Sequence, residues 1–137
     1  MKSKQVLDVQ QMQHLQELGM KMDYDTLYRY VKFEDTDWLL KPFSDLNIIG
    51  ISCKYIPAYT LQDVLDELPK CVSKDGCTWA ASLYIDFEND RIAYGNTDRY
   101  GFEVYHEIMI EKDLIDAAYS MLCWAIENKF VETNKNE

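Results

Sequence analysis

The sequence predicts an α+β fold: an antiparallel meander packed on one face by two helices, with a third helix at the N-terminus. Three observations carry this reading. Apolar residues recur at helical spacing in three segments, they alternate with period two between the second and third of these, and turn residues punctuate the joins. At 137 residues, 47% hydrophobic and 28% charged, the chain has the size and makeup of one globular domain spanning 1–137, and a disordered or low-complexity protein is excluded.

The first helix is expected at 9–18. Asp8 and Gln11 have the spacing of a capping box, Leu7 and Met12 that of a hydrophobic staple, and Gly19 is placed to end the helix in the left-handed conformation. Val9, Met12, Leu15 and Leu18 share one slowly drifting face. From Thr26 the period changes: Leu27, Arg29, Val31 and Phe33 alternate with Tyr28, Tyr30 and Lys32, as in a strand. Glu34 to Asp37 reads as a turn, and Trp38 to Leu40 and Ile48 to Ile56 as further extended segments. Thr60 with Asp63 caps a second helix through Leu61, Val64, Leu65 and Leu68, which Pro69 stops. Asp75-Gly76 marks a turn before the meander of 78–88, 91–94 and 102–110. In the last strand Phe102, Val104, His106, Ile108 and Ile110 are expected inward, with Glu103, Tyr105, Glu107, Met109 and Glu111 outward. The third helix, 113–128, is apolar on all but a narrow strip of Asp113, Asp116, Ser120 and Glu127, and belongs in the core.

Charge bounds the partners. Lys and Arg number 14 against 24 Asp and Glu, a net charge of -10, and the sequence pI is about 4.6. Such a chain repels polyanions, which argues against direct nucleic-acid binding and against anionic membranes, and for a basic protein partner. The N-terminus lacks the apolar core of a secretory signal, and no run approaches the ~20 apolar residues of a membrane span. Cys53, Cys71, Cys77 and Cys123 are therefore expected reduced in a cytoplasmic protein.

Two segments, Ile56-Pro57-Ala58-Tyr59-Thr60-Leu61-Gln62-Asp63 and Ile115-Asp116-Ala117-Ala118-Tyr119-Ser120-Met121-Leu122-Cys123-Trp124, together with the Gln-rich first helix, resemble a family of small proteins of unassigned activity from gut Bacteroidetes and their phages. The resemblance implies an accessory role in a phage or other mobile element. It implies no activity, cofactor or site residue.

The strongest local feature is the face of the meander turned away from the helices. Alternation sends Leu83, Ile85 and Phe87 inward and Tyr84, Asp86 and Glu88 outward, where regular pairing adds Glu103, Tyr105 and Glu107. Phenols interleaved with carboxylates suit a basic protein, since tyrosine provides contact area at little entropic cost. The plain alternative is a solvated sheet face. Carboxylates two residues apart on a strand, roughly 6.7 Å, also admit mimicry of DNA.

Other constellations carry less. Asp86-x-Glu88-x-Asp90 with Asp98 offers oxygen ligands for a divalent cation but lacks the glycine and final glutamate of an EF-hand. The cysteines, with His14 and His106, lack zinc-site spacing and read as small apolar core residues. Cys71 or Cys77 with His106 has no oxyanion loop, and His106 reads as a core histidine. No cofactor-binding motif is present. Gln10, Gln11, Gln13 and Gln16 suit a helix covering a sheet edge, or half of a homo-oligomer contact. The expectation is a non-enzymatic protein-interaction domain. The alternative is an enzyme or small-ligand binder with a pocket between sheet and helices, lined by some of Tyr28, Tyr55, Tyr59, Trp79 and Tyr94.

Overall fold

In the computed structural model, which describes residues 4–42, 53–73, 80–97 and 99–133, the elements run α1 (Val9–Glu17), β1 (Tyr28–Phe33), β2 (Leu39–Pro42), β3 (Cys53–Ala58), α2 (Leu61–Glu67), β4 (Cys71–Val72), β5 (Ala81–Asp86), β6 (Arg91–Thr97), β7 (Glu103–Ile110) and α3 (Leu114–Glu127). The α+β class is as expected, and the strands divide between two antiparallel sheets, ordered β2-β1-β3 and β4-β5-β6-β7. The meander of the sequence is the second sheet. Its first strand is shorter than expected, ending at Asp86, and β6 is longer, reaching Thr97. The Asp75-Gly76 turn and the 48–52 part of the expected extended segment lie outside the described residues.

Local chemistry sets the helix ends. The Asp8 carboxylate accepts from the Gln11 amide at 2.8 Å, and the Gln11 side chain accepts from the Asp8 amide at 3.0 Å. These bonds satisfy two of the amide donors that a helix start leaves unpaired. At the other end of α1, Gly19 has φ 92, and the amides of Gly19 and Met20 reach the carbonyls of Gln16 and Leu15 at 3.0 and 3.1 Å, the pairing of a Schellman motif. In α2, Thr60 Oγ1 accepts from the Asp63 amide at 3.3 Å and Asp63 Oδ2 accepts from the Thr60 amide at 2.9 Å. Asp113, in contrast, makes no side-chain cap for α3. That helix closes as α1 does, with the Phe130 amide on the Ala125 carbonyl at 2.8 Å, but with Lys129 at φ 64 in place of glycine.

One continuous core joins both sheets. It runs from Leu7, Met12 and Leu15 through Ile56, Tyr59 and Val64 to Ile92, Tyr94 and the inward residues of α3. The Tyr94 hydroxyl, fully buried, donates to the Pro69 carbonyl at 2.6 Å, so its phenol lies in apolar surroundings without an orphaned donor. A polar tie links α1 to α3: Asp116 accepts from Lys4 Nζ at 2.8 Å and from Gln11 Nε2 at 2.9 Å. Gln11 therefore fastens α1 to the core, whereas Gln10, Gln13 and Gln16 face outward. Among the described residues no helix is long and apolar enough to cross a membrane.

Candidate functional site

The four-stranded sheet has two faces of different character. Helix α3 packs on β6 and β7, and the sheet residues that join the core are Ala81, Leu83 and Ile85 of β5, Ile92 and Tyr94 of β6, and Met109 of β7. The opposite face is open. Cross-strand pairing places Tyr84 beside Ala93, Asp86 beside Arg91 and Ser82 beside Gly95, and on the other side of β6 sets Gly95 beside Tyr105, Ala93 beside Ile108 and Arg91 beside Ile110.

The small residues of β6 make this face concave. Ala93 and Gly95 form a low floor, and Tyr84 and Tyr105 rise on the flanking strands with ring centroids 6.3 Å apart at 87°, an edge-to-face pair. The tyrosine ring fills the space where Gly95 has no side chain: a Cβ there would stand 2.8 Å from Tyr105 Cδ1 and 2.6 Å from the Val104 carbonyl oxygen. The resulting cavity, about 260 Å³, is lined by Tyr84, Asp86, Arg91, Ala93, Glu103 and Tyr105, with Phe87 at its rim.

Its charges are one ion pair, Arg91 with Asp86, and one carboxylate, Glu103, bonded to a phenol. Arg91 meets Asp86 Oδ2 at 3.1 Å and lies 5.5 Å from the centre of the Tyr105 ring, over its face. Asp86 also accepts from the Asn89 side chain at 2.9 Å and its amide at 3.3 Å. Hydrogen bonds from Asn89, with the Arg91 charge, hold the Asp86 carboxyl below the usual carboxylate range. Across the cavity the Tyr105 hydroxyl donates to Glu103, and that bond to a carboxylate raises the phenol's pKa. Among the described residues Glu103 has no cationic partner.

No protein-family model, curated protein or solved structure matches this chain.

Four of the six residues expected on this face are brought together: Tyr84, Asp86, Glu103 and Tyr105. The other two are not. Glu88 lies in the exposed 87–90 turn, where Asp90 takes φ 51 and ends the strand alternation. Glu107 stands opposite Tyr94 on the helix-facing side, because the register shifts by one residue at His106, between the pairs Tyr94–Glu107 and Gly95–Tyr105. Such a bulge moves every later side chain to the other face. Ile108 and Ile110, expected inside, are consequently 37% and 66% exposed, whereas Met109 packs against the core. His106 is exposed in the bulge rather than buried. Phe87 and Phe102, expected inward, are also exposed.

The remaining candidates are dispersed. Cys71 is exposed on β4 rather than in the core, and Cys123 is half-buried, its thiol pushed up to about 11, chiefly by desolvation. Cys77, Trp79 and Asp98 lie outside the described residues, and among those described no three His, Cys, Asp or Glu side chains converge as metal ligands. Of the aromatic residues expected to line a pocket between sheet and helices, Tyr59 and Tyr94 are fully buried core residues and Tyr55 is exposed on β3. Sequence reasoning missed Arg91, Ala93, Gly95, Ile108 and Ile110 as parts of the open face. Gly95 was the available signal, since glycine inside a strand marks a bulge or a close approach.

Proposed function

We propose that this protein is a non-enzymatic interaction domain that docks a basic protein partner on the open face of its four-stranded sheet. The observation that carries the reading is the continuity of that face: exposed Tyr84 and Phe87 and half-buried Tyr105 line a cavity with Asp86 and Glu103, and exposed Ile108 and Ile110 continue the face along β7. A cluster of exposed aromatic and aliphatic side chains flanked by charge has the composition of a binding patch rather than of a plain wet sheet face. The net charge of -10 favours a basic partner and speeds encounter with one. β7, at the edge of its sheet, makes the face accessible from the side. An accessory role in a phage or mobile element is part of this reading and rests on the sequence resemblance, and a cytoplasmic setting is proposed with it.

The test is affinity capture from the native host with the intact chain and with Tyr105→Ala and Ile108→Glu, each checked for unchanged folding by circular dichroism. The reading expects one or more partners to be lost with both variants and kept with Glu34→Gln, a change in the exposed turn after β1. An identical partner list for all four proteins would overturn it.

A further inference from the structure

We propose that the cavity lined by Tyr84, Glu103 and Tyr105 receives an arginine side chain of the partner, with Glu103 as its counter-ion. The inference deepens the reading of the sheet face and rests on it. Two features of the cavity select this occupant. Its walls carry two phenol rings in edge-to-face contact; Arg91 lies over Tyr105, whereas Tyr84 is exposed and among the described residues has no cation over its ring, leaving it to a planar cation. Its one carboxylate without a cationic partner among the described residues is Glu103, which meets only the Tyr105 hydroxyl.

The molecule already contains the contact in question. The Arg91 guanidinium lies over the Tyr105 ring, 5.5 Å from its centre, while bonding Asp86 at 3.1 Å. Asp86 is thereby neutralised and Glu103 is not, so the cavity holds one uncompensated negative charge beside aromatic walls. Arginine fits better than lysine for two reasons. Its planar group stacks on a phenol, and it can address a carboxylate with two parallel N–H donors, whereas an ammonium is a strongly hydrated point charge.

Fluorescence anisotropy at physiological ionic strength tests this with the full chain and a labelled peptide of alternating arginine and glycine. A lysine-glycine peptide of equal charge controls for attraction by net charge alone. The proposal expects tighter binding of the arginine peptide, and a loss of about tenfold with Glu103→Gln or Tyr84→Leu, the scale of one charge-assisted aromatic contact. Glu34→Gln removes the same charge elsewhere and should change affinity less than twofold. Equal binding of both peptides, or equal losses for Glu103→Gln and Glu34→Gln, would overturn the arginine site. If the arginine peptide does not bind while Ile108→Glu still abolishes partner capture, the arginine site falls and the reading of the face stands. If Ile108→Glu leaves capture intact, the face reading falls.

Discussion

Substituting Gly95 by alanine tests the architecture of the site at its narrowest point. The added Cβ would lie 2.6 Å from the Val104 carbonyl oxygen and 2.8 Å from Tyr105 Cδ1, where ordinary contact begins at 3.4 Å. The ring can swing away, but the carbonyl belongs to the strand paired with Gly95, so β6 and β7 must part by most of an ångström. Overpacking of this kind costs about 1–3 kcal/mol. Removing a glycine recovers about 0.4–1 kcal/mol by restricting the unfolded chain, which leaves a net loss of about 1–2 kcal/mol. For a chain of this length that corresponds to a fall in Tm of roughly 4–8 °C, measurable by scanning calorimetry. Combining the change with Tyr105→Ala removes the ring contact and leaves the carbonyl contact, so rescue should be partial. An unchanged or higher Tm for Gly95→Ala, or full rescue in the double variant, would refute the close approach of β7 to Gly95.

Burial, with Asp23, Asp66 and Asp63 nearby, raises the pKa of Glu67 in the folded chain; the fold therefore loses stability as pH rises above the ordinary glutamate value of about 4.3, and Glu67→Gln should raise Tm at pH 7 and flatten that slope. Asp116 is held below the usual range despite the penalty of partial burial, by Lys4 and Gln11, so its contribution is present above about pH 3.9 and is lost as pH falls; Asp116→Asn should cost about 1 kcal/mol at pH 7, a figure reduced for its partial exposure, and speed hydrogen exchange in α1. Lys129 holds the left-handed position that closes α3, φ 64, and Lys129→Gly should stabilise by about 1 kcal/mol in urea unfolding, the cost a non-glycine residue bears in that conformation.

The sequence was most legible where structure is decided within four residues. Both capping boxes and the glycine closure of α1 are of this kind, because their donors and acceptors sit at fixed chain offsets, and they formed as expected. The wide apolar stripe of 114–127 likewise identified the helix with the largest buried face. The candidate site was legible up to the bulge. Tyr84 and Asp86 follow simple alternation along β5, and Tyr105 and Glu103 share their face. Past His106 the alternation expected for β7 inverts, since the register is set by how Tyr94 and Gly95 pair with it rather than by any pattern within 102–110. One extra residue thus exchanged Glu107 for Ile108 and Ile110 and made the face less acidic and more apolar than regular alternation along 102–110 predicts. The division of strands between two sheets is likewise a product of tertiary neighbours. Local propensity carries no record of it.

The central claim is that the open sheet face meets a partner. A photo-crosslinking amino acid placed at Ile110, irradiated in a lysate of the native host, tests it most directly, with the same group at Glu34 as comparison. Docking on this face yields a discrete crosslinked protein from position 110 that is absent from position 34 and is lost when Tyr84→Ala is added. Crosslinking to the same proteins from both positions, or none from position 110, would contradict it.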